Sequence, residues 1–224
     1  MENQILFHIG PLGIHNAVVT TWIIMALLLA FSLLVTRRLQ LRPGPLQTAL
    51  EGSIGAIEDT VRAVLPEQTD KVLPFLATLW IFLVVANLSG IIPGVHAPTG
   101  YLSTTAGLAI LVFLSVHWFG IRSEGLKSYL SHYLRPTPLL LPFHIISEIT
   151  RTVALAVRLF GNIMSLEMAA LLILMVAGFL APVPILMLHI VEALVQAYIF
   201  GMLALIYIAG AMQSHELQRQ REKE

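Results

Sequence analysis

Three charge-free apolar stretches mark the first half of the chain. Residues 17–36, 72–92 and 103–121 contain no Asp, Glu, Lys or Arg. Each has about the ~20 residues that an α-helix needs to cross a bilayer. The pattern therefore predicts three upright transmembrane helices.

The stretch 43–71, between the first two spans, has a different pattern. Its apolar residues recur at helical spacing, and Glu51, Glu58, Asp59 and Arg62 lie among them. Such a segment buries one face and keeps the other in water. We expect an amphipathic helix that lies at the membrane surface.

The second half is apolar overall but too long for single upright spans. An Ala-Pro-Val-Pro turn at 181–184 divides it into helices of about 144–180 and 184–213, followed by a polar tail at 214–224. At ~1.5 Å per residue both helices exceed the ~30 Å hydrocarbon core. We expect a hairpin of two strongly tilted helices. The predicted fold is an all-α, polytopic membrane protein, with residues 1–224 forming a single membrane domain.

The positions of basic residues predict the orientation. Residues 1–36 and 72–121 contain no Lys or Arg. The basic residues fall between spans one and two or after span three: Arg37, Arg38, Arg42, Arg62, Lys71, Arg122, Lys127 and Arg135. By the positive-inside rule the N-terminus lies outside and the C-terminal tail is cytoplasmic.

Composition narrows the class of function. The chain is 57% hydrophobic and 12% charged, against roughly a quarter charged in soluble proteins. Its net charge is zero, so nothing favours nucleic acid as a partner. It has no cysteine, and we find no phosphate loop, no HExxH, no metal-ligand cluster and no nucleophile elbow. We expect no cofactor, no metal and no catalysis by this chain alone.

Charged side chains in the apolar second half require an explanation, because each costs at least ~2.5–3.5 kcal/mol deep in a bilayer. They are Glu148, Arg151, Arg158, Glu167, His189 and Glu192. Embedded charges of both signs with a histidine favour an ion path. One hypothesis is the stator half of a rotary ion motor, in which the arginine serves a carboxylate of another subunit. The alternative is a stand-alone secondary transporter, which predicts internal repeats that we do not find.

Helical geometry separates these charges. Arg158 falls in the middle of a face of small residues, among them Ala154 and Ser165, and Glu167 falls on the opposite face. An ion pair between Arg158 and Glu167 within the helix is therefore excluded. On the second long helix four polar residues share a face, with a stripe of small residues beside it: His189, Glu192, Gln196 and Tyr207.

Structural roles remain open for the same residues. Arg158 could belong to a buried ion pair, and Glu167 with His189 could form a pair that holds the hairpin together. Glu192 could bond Gln196 or His189 locally. Glu148 and Arg151, three residues apart, could be a surface pair.

Three segments resemble subunit a (subunit 6) of F-type ATP synthases, and the resemblance covers nearly the whole chain. The most specific one is the core Val157-Arg158-Leu159-Phe160-Gly161-Asn162, preceded by Ser147-Glu148-Ile149-Thr150-Arg151 and followed by Glu167. His189 and Gln196 with Ala197-Tyr198-Ile199-Phe200 are similar to the family's last helix, and Asn87-Leu88-Ser89-Gly90-Ile91-Ile92-Pro93-Gly94 to the end of its second upright span.

The resemblance implies a role for each matching residue. Arg158 would be the essential charge facing the ring of c subunits, with Gln196 near it across the hairpin. Glu167 and His189 would line the outer half-channel. The remaining candidates for the ion path are Asn162, Glu148, Arg151 and Glu192.

Two departures affect the inner path. Thr152 stands where some members have proline, and Ala154 where some have serine. Glu192 is outside the family pattern, so its assignment rests on the helical face alone.

The resemblance also implies partners, location and mechanism. The partners would be the c-ring, the peripheral-stalk b subunits and the lipid bilayer, in a bacterial inner membrane. An ion, proton or sodium, would enter through one half-channel, neutralise a ring carboxylate, and leave through the other after rotation. Arginine suits the boundary between them because it stays charged, whereas a desolvated lysine can become neutral.

Overall fold

The computed structural model describes residues 5–9, 12–37, 44–92, 95–125, 141–177 and 183–213. The predicted tail 214–224, the first half of the 181–184 turn and residues 178–180 lie outside these ranges. Nearly all described residues are helical.

A short antiparallel hairpin precedes the helices. Strand β1, Ile5–Ile9, pairs with β2, Leu12–His15. The hydrophobic pattern predicted no regular structure here, although the Gly-Pro dipeptide at 10–11 is a turn signal.

In the described residues, six α-helices follow the hairpin. They are α1, Asn16–Thr36; α2, Pro45–Val64; α3, Thr69–Leu88; α4, Leu102–Glu124; α5, Leu141–Ala177; and α6, Val183–Gln213. Short 3₁₀ turns at Ser89–Ile91 and Pro98–Gly100 lie between α3 and α4. Every one of these α-helices except α2 is long and apolar enough to cross a membrane. The all-α, polytopic fold predicted from the sequence is confirmed, with the hairpin as an addition.

The last two helices are the longest of those described. Helix α5 has 37 residues and α6 has 31, which correspond to roughly 55 and 46 Å. Neither fits upright in a ~30 Å hydrocarbon layer. Helix α2 carries both charged and apolar residues, and its Arg62 pairs with Glu58 one turn earlier.

Helices α3, α4, α5 and α6 pack together around the apolar core. Fully buried side chains come from all four helices, among them Leu83, Val112, Leu159 and Phe200. Helix α1 lies at the edge of this group of helices. Only 6% of its most apolar stretch is buried inside the protein, against 50% for α6.

Helix α6 approaches α3 closely through its small residues. Ala193, Ala197 and Ala204 are fully buried, and the ring of Trp80 lies directly against Gly201. A Cβ at Gly201 would overlap that ring. The small-residue stripe of the second long helix therefore serves a helix contact, as is usual in membranes.

Candidate functional site

Arg158 lies on the surface of α5. The turn of helix around it is anchored by the buried Leu155 and Leu159, which leaves Arg158, Ala154 and Val157 exposed. Its guanidinium has no ion-pair or hydrogen-bond partner among the residues that the structure describes. Within the described residues, Arg158 is thus exposed and forms no buried ion pair, contrary to that alternative.

One turn further along α5, Asn162 joins the two long helices. Its side-chain amide donates a 2.7 Å hydrogen bond to Oε1 of Gln196 on α6. Gln196 is 1% exposed, and its Nε2 has no partner in the described part of the chain. Gln196 thus lies across the hairpin from Asn162, on the side where α5 carries Arg158.

Glu167 is held by the segment between α3 and α4. The backbone N–H of Ala97 donates to Oε1 at 3.3 Å, and Nδ1 of His96 lies 3.9 Å from Oε2. A Cβ at Gly100 would lie only 3.4 Å from both carboxylate oxygens. The lack of a side chain at Gly100 lets this turn approach the carboxylate.

His189 lies next to Glu167 but has its own partner. Its Nε2 is 3.2 Å from the carbonyl oxygen of Asn87, whose side-chain amide donates to the carbonyl oxygen of Ala193 at 3.2 Å. Both His189 and Glu167 approach Gly90, where a Cβ would be 3.5 Å from an atom of each. They do not form an ion pair, so the predicted alternative of a mutually satisfied pair is wrong.

Thr99 and Tyr101 complete a group of polar side chains that we call the outer cluster. It comprises Asn87, His96, Thr99, Tyr101, Glu167 and His189. Asn87 Oδ1 and Thr99 Oγ1 are buried without a hydrogen-bond partner in the described ranges. Partial burial, and then the negative charge of Glu167, raise the pKa of the Tyr101 phenol above its ordinary value. Tyr101 therefore stays neutral at physiological pH.

A second polar cluster, the inner cluster, lies nearer the start of α5. Arg151 forms an ion pair with Glu148, and its guanidinium carbon lies 4.0 Å from the centre of the Tyr207 ring on α6. The Glu148–Arg151 pair predicted as an alternative is therefore present. It is partly buried, and it lines a small cavity together with Thr152, Tyr207 and apolar side chains of α4.

The two clusters lie on either side of Arg158 along α5. Ten residues separate Glu148 from Arg158, and nine separate Arg158 from Glu167. In a helix these intervals correspond to ~15 and ~13.5 Å. An exposed cation thus lies about midway between two groups of polar side chains.

Glu192 stands apart from both clusters. Glu192 is half-buried as a residue and bonds neither Gln196 nor His189, so the predicted local bond is wrong. Among the described residues no three histidine, cysteine or acidic side chains come close enough to hold a metal ion.

Sequence reasoning missed His96 and Tyr101 in the outer cluster. Both flank the Pro98–Gly100 turn between two predicted spans. The sequence did contain a signal for these two residues. A histidine and a tyrosine occur in the short loop between the second and third predicted spans, on the outer side, where Glu167 was also expected. Tyr207 was placed on the polar face of its helix, but its contact with Arg151 was not predicted.

Comparison with known sequences identifies the family of the chain. The sequence profile of the family described as ATP synthase A chain matches residues 18–209. A relative from Pelobacter propionicus named ATP synthase subunit a 2 is 63% identical over 99% of this chain and 97% of its own length. ATP synthase subunit a 1 of Hahella chejuensis is 66% identical over 95% of this chain and 91% of its own. ATP synthase subunit a of Legionella pneumophila is 59% identical over 96% of this chain and 94% of its own. The chain therefore belongs to the ATP synthase A chain family.

Proposed function

We propose that this chain is the ion-conducting stator subunit of an F-type ATP synthase, in which Arg158 separates two half-channels. The observation that carries the proposal is that Arg158, between the inner and outer clusters, is exposed and has no ion-pair partner among the described residues. A cation on an apolar helix face is costly in lipid. It becomes favourable when a carboxylate of a neighbouring subunit comes to face it.

The partner that fits is a ring of small helical subunits, each with one carboxylate at mid-membrane. Ala154 and Ser165 are exposed on the same side of α5 as Arg158. Small side chains allow the backbone of another helix to approach closely. The peripheral-stalk b subunits are the further protein partners, and ATP chemistry takes place on other subunits.

The two clusters supply the half-channels. Glu167 and His189, with Asn162 and Gln196 toward the arginine, form the path from the outside. Glu148 and Arg151 belong to the path toward the cytoplasm, and Glu192 borders the outer half of α6. The N-terminus is outside and the tail cytoplasmic, in a bacterial inner membrane.

Ion transfer follows from the cost of charge in lipid. A ring carboxylate must be neutral while it faces hydrocarbon and ionised beside Arg158. An ion from the outer cluster neutralises it after it passes Arg158, and the ring then rotates it into lipid. After nearly a full turn the ion leaves by the inner cluster, and the carboxylate returns to Arg158. The fixed positive charge prevents ions from passing directly between the half-channels.

Cysteine cross-linking to the ring tests this arrangement. In the assembled complex, cysteine at Ser165 is expected to form a disulfide with a cysteine on the outer helix of the ring, because Ser165 shares the exposed face of Arg158. Glu167→Cys, only two residues away, is the matched control, since Glu167 faces the 96–100 segment. Equal cross-linking at both positions would show that the assigned face is wrong.

A further inference from the structure

His96 is exposed to water and also lies close to the largely buried carboxylate of Glu167. Its side chain is 51% exposed, yet its Nδ1 lies 3.9 Å from a carboxylate oxygen of Glu167, whose side chain is 13% exposed. Behind Glu167 lies His189, which is 3% exposed. Exposure therefore decreases stepwise from His96 through Glu167 to His189.

The backbone fixes this approach. The N–H of Ala97, the next residue, donates to the other carboxylate oxygen of Glu167. Ala97 is itself fully buried. The turn that follows packs its backbone against the carboxylate at Gly100. With the neighbouring residue anchored in this way, the imidazole remains within one water molecule of Glu167.

The surroundings leave His96 as the group suited to exchange protons with water. Among the described side chains, the titratable groups near it are Glu167 on α5, His189 on α6 and Tyr101 just before α4. Tyr101 stays neutral, and His189 is buried against the Asn87 carbonyl oxygen. Helix α1, which also contacts the Pro98–Gly100 turn, has no titratable residue.

Histidine carries out such a transfer well because it changes charge near neutral pH and has two ring nitrogens. A separation of 3.9 Å exceeds direct hydrogen-bond length, and one bridging water spans it. Nε2 takes up a proton from bulk water, and Nδ1, which lies toward Glu167, releases its own proton through the bridging water to the carboxylate. Exchange of the remaining ring proton between the two nitrogens through water then resets the imidazole. In the reverse direction each proton retraces the same steps.

We propose that His96 is the outermost proton-relay residue of the path, exchanging protons between bulk water and Glu167. This inference rests on the proposed function and adds to it the chemistry of the entrance. It also implies that the translocated ion is a proton.

The test measures ATP hydrolysis by the whole complex in membranes made leaky with an ionophore, across neutral pH, with and without added imidazole. We expect His96→Ala to lower turnover by about threefold or more. We expect a smaller loss than the ~10²-fold that follows removal of a positioned acid–base group, because water in an open funnel also carries protons. Added imidazole is expected to restore the rate. The control His117→Ala changes a histidine of α4 that bonds the Phe113 carbonyl oxygen, and its rate is expected not to respond to imidazole.

Two results would overturn the inference. One is a His96→Ala complex with the turnover and pH profile of the unaltered complex. The other is a reduced rate that imidazole leaves unchanged but that His96→Gln restores, since glutamine replaces a polar contact without carrying protons. Either failure leaves the Ser165 cross-link intact, whereas loss of that cross-link would disprove the proposed function itself.

Discussion

Asn162 and Gln196 are joined side chain to side chain across the two long helices, one turn beyond Arg158 on α5. The bond fixes the level at which α6 crosses α5. It also leaves the Gln196 Nε2 group buried and unbonded within the described part of the chain. The hydrogen bond therefore ties α5 to α6 and leaves one buried amide group of Gln196 able to bond a further partner.

Breaking this link from one side is expected to destabilise the hairpin. Asn162→Leu removes the partner that the described residues give to Gln196 Oε1, and an unsatisfied buried polar group costs about 1–3 kcal/mol. Replacing both residues by leucine is expected to cost less than the sum of the single changes. A double-mutant cycle on the thermal midpoint of the purified complex measures the coupling, which we expect to be about 0.6–1.5 kcal/mol. Strictly additive effects would show that the bond contributes nothing.

The contact between Arg151 and Tyr207 is expected to depend on the aromatic ring. Tyr207→Phe keeps the face over which the guanidinium lies, and Tyr207→Leu removes a cation–π contact of about 1–2 kcal/mol. We therefore expect Tyr207→Phe to retain most ATP-driven ion pumping in vesicles and Tyr207→Leu to lose several-fold. If both variants lose pumping equally, the hydroxyl is the group that matters.

Access of water to the outer cluster can be read from cysteine reactivity. A cysteine at Glu167 is expected to react with a membrane-impermeant thiol reagent added from outside, and one at His189 more slowly, because His189 is more deeply buried. Exchanging the residues, Glu167→His with His189→Glu, keeps a titratable group on each helix. It is expected to restore part of the pumping lost in either single variant.

The corresponding negative result is equally specific. If neither cysteine reacts from outside and each single variant pumps normally, the outer cluster is a dry structural feature. Reaction from the cytoplasmic side alone would contradict the proposed orientation.

Much of the fold could be predicted because membrane insertion imposes a simple pattern. A charge-free stretch of ~20 residues has few alternatives to a spanning helix. Residues 17–36 thus correspond to Asn16–Thr36 in the structure, and 103–121 to Leu102–Glu124. The separation of Arg158 from Glu167 followed from helical periodicity alone.

Contacts between segments that are far apart in the sequence leave no comparable pattern in it. Seventy residues separate Ala97 from Glu167 and more than a hundred separate Asn87 from His189. Neither contact follows from periodicity, because the first depends on how the residues before α4 approach α5 and the second on how α3 packs against α6. The partner of Glu192 was predicted wrongly for the same reason: sharing a helix face does not ensure that two side chains turn toward each other.

The central claim is that Arg158 is a permanent positive charge between two half-channels, and substitution by lysine tests it most directly. Lysine retains the charge in water but can lose its proton in an apolar site, and it lacks the planar geometry that pairs with a carboxylate. The measurement is ATP-driven ion pumping in membrane vesicles that contain equal amounts of assembled complex. The account predicts that Arg158→Lys abolishes coupled pumping, as Arg158→Ala does. Coupled pumping retained in the lysine variant would contradict it.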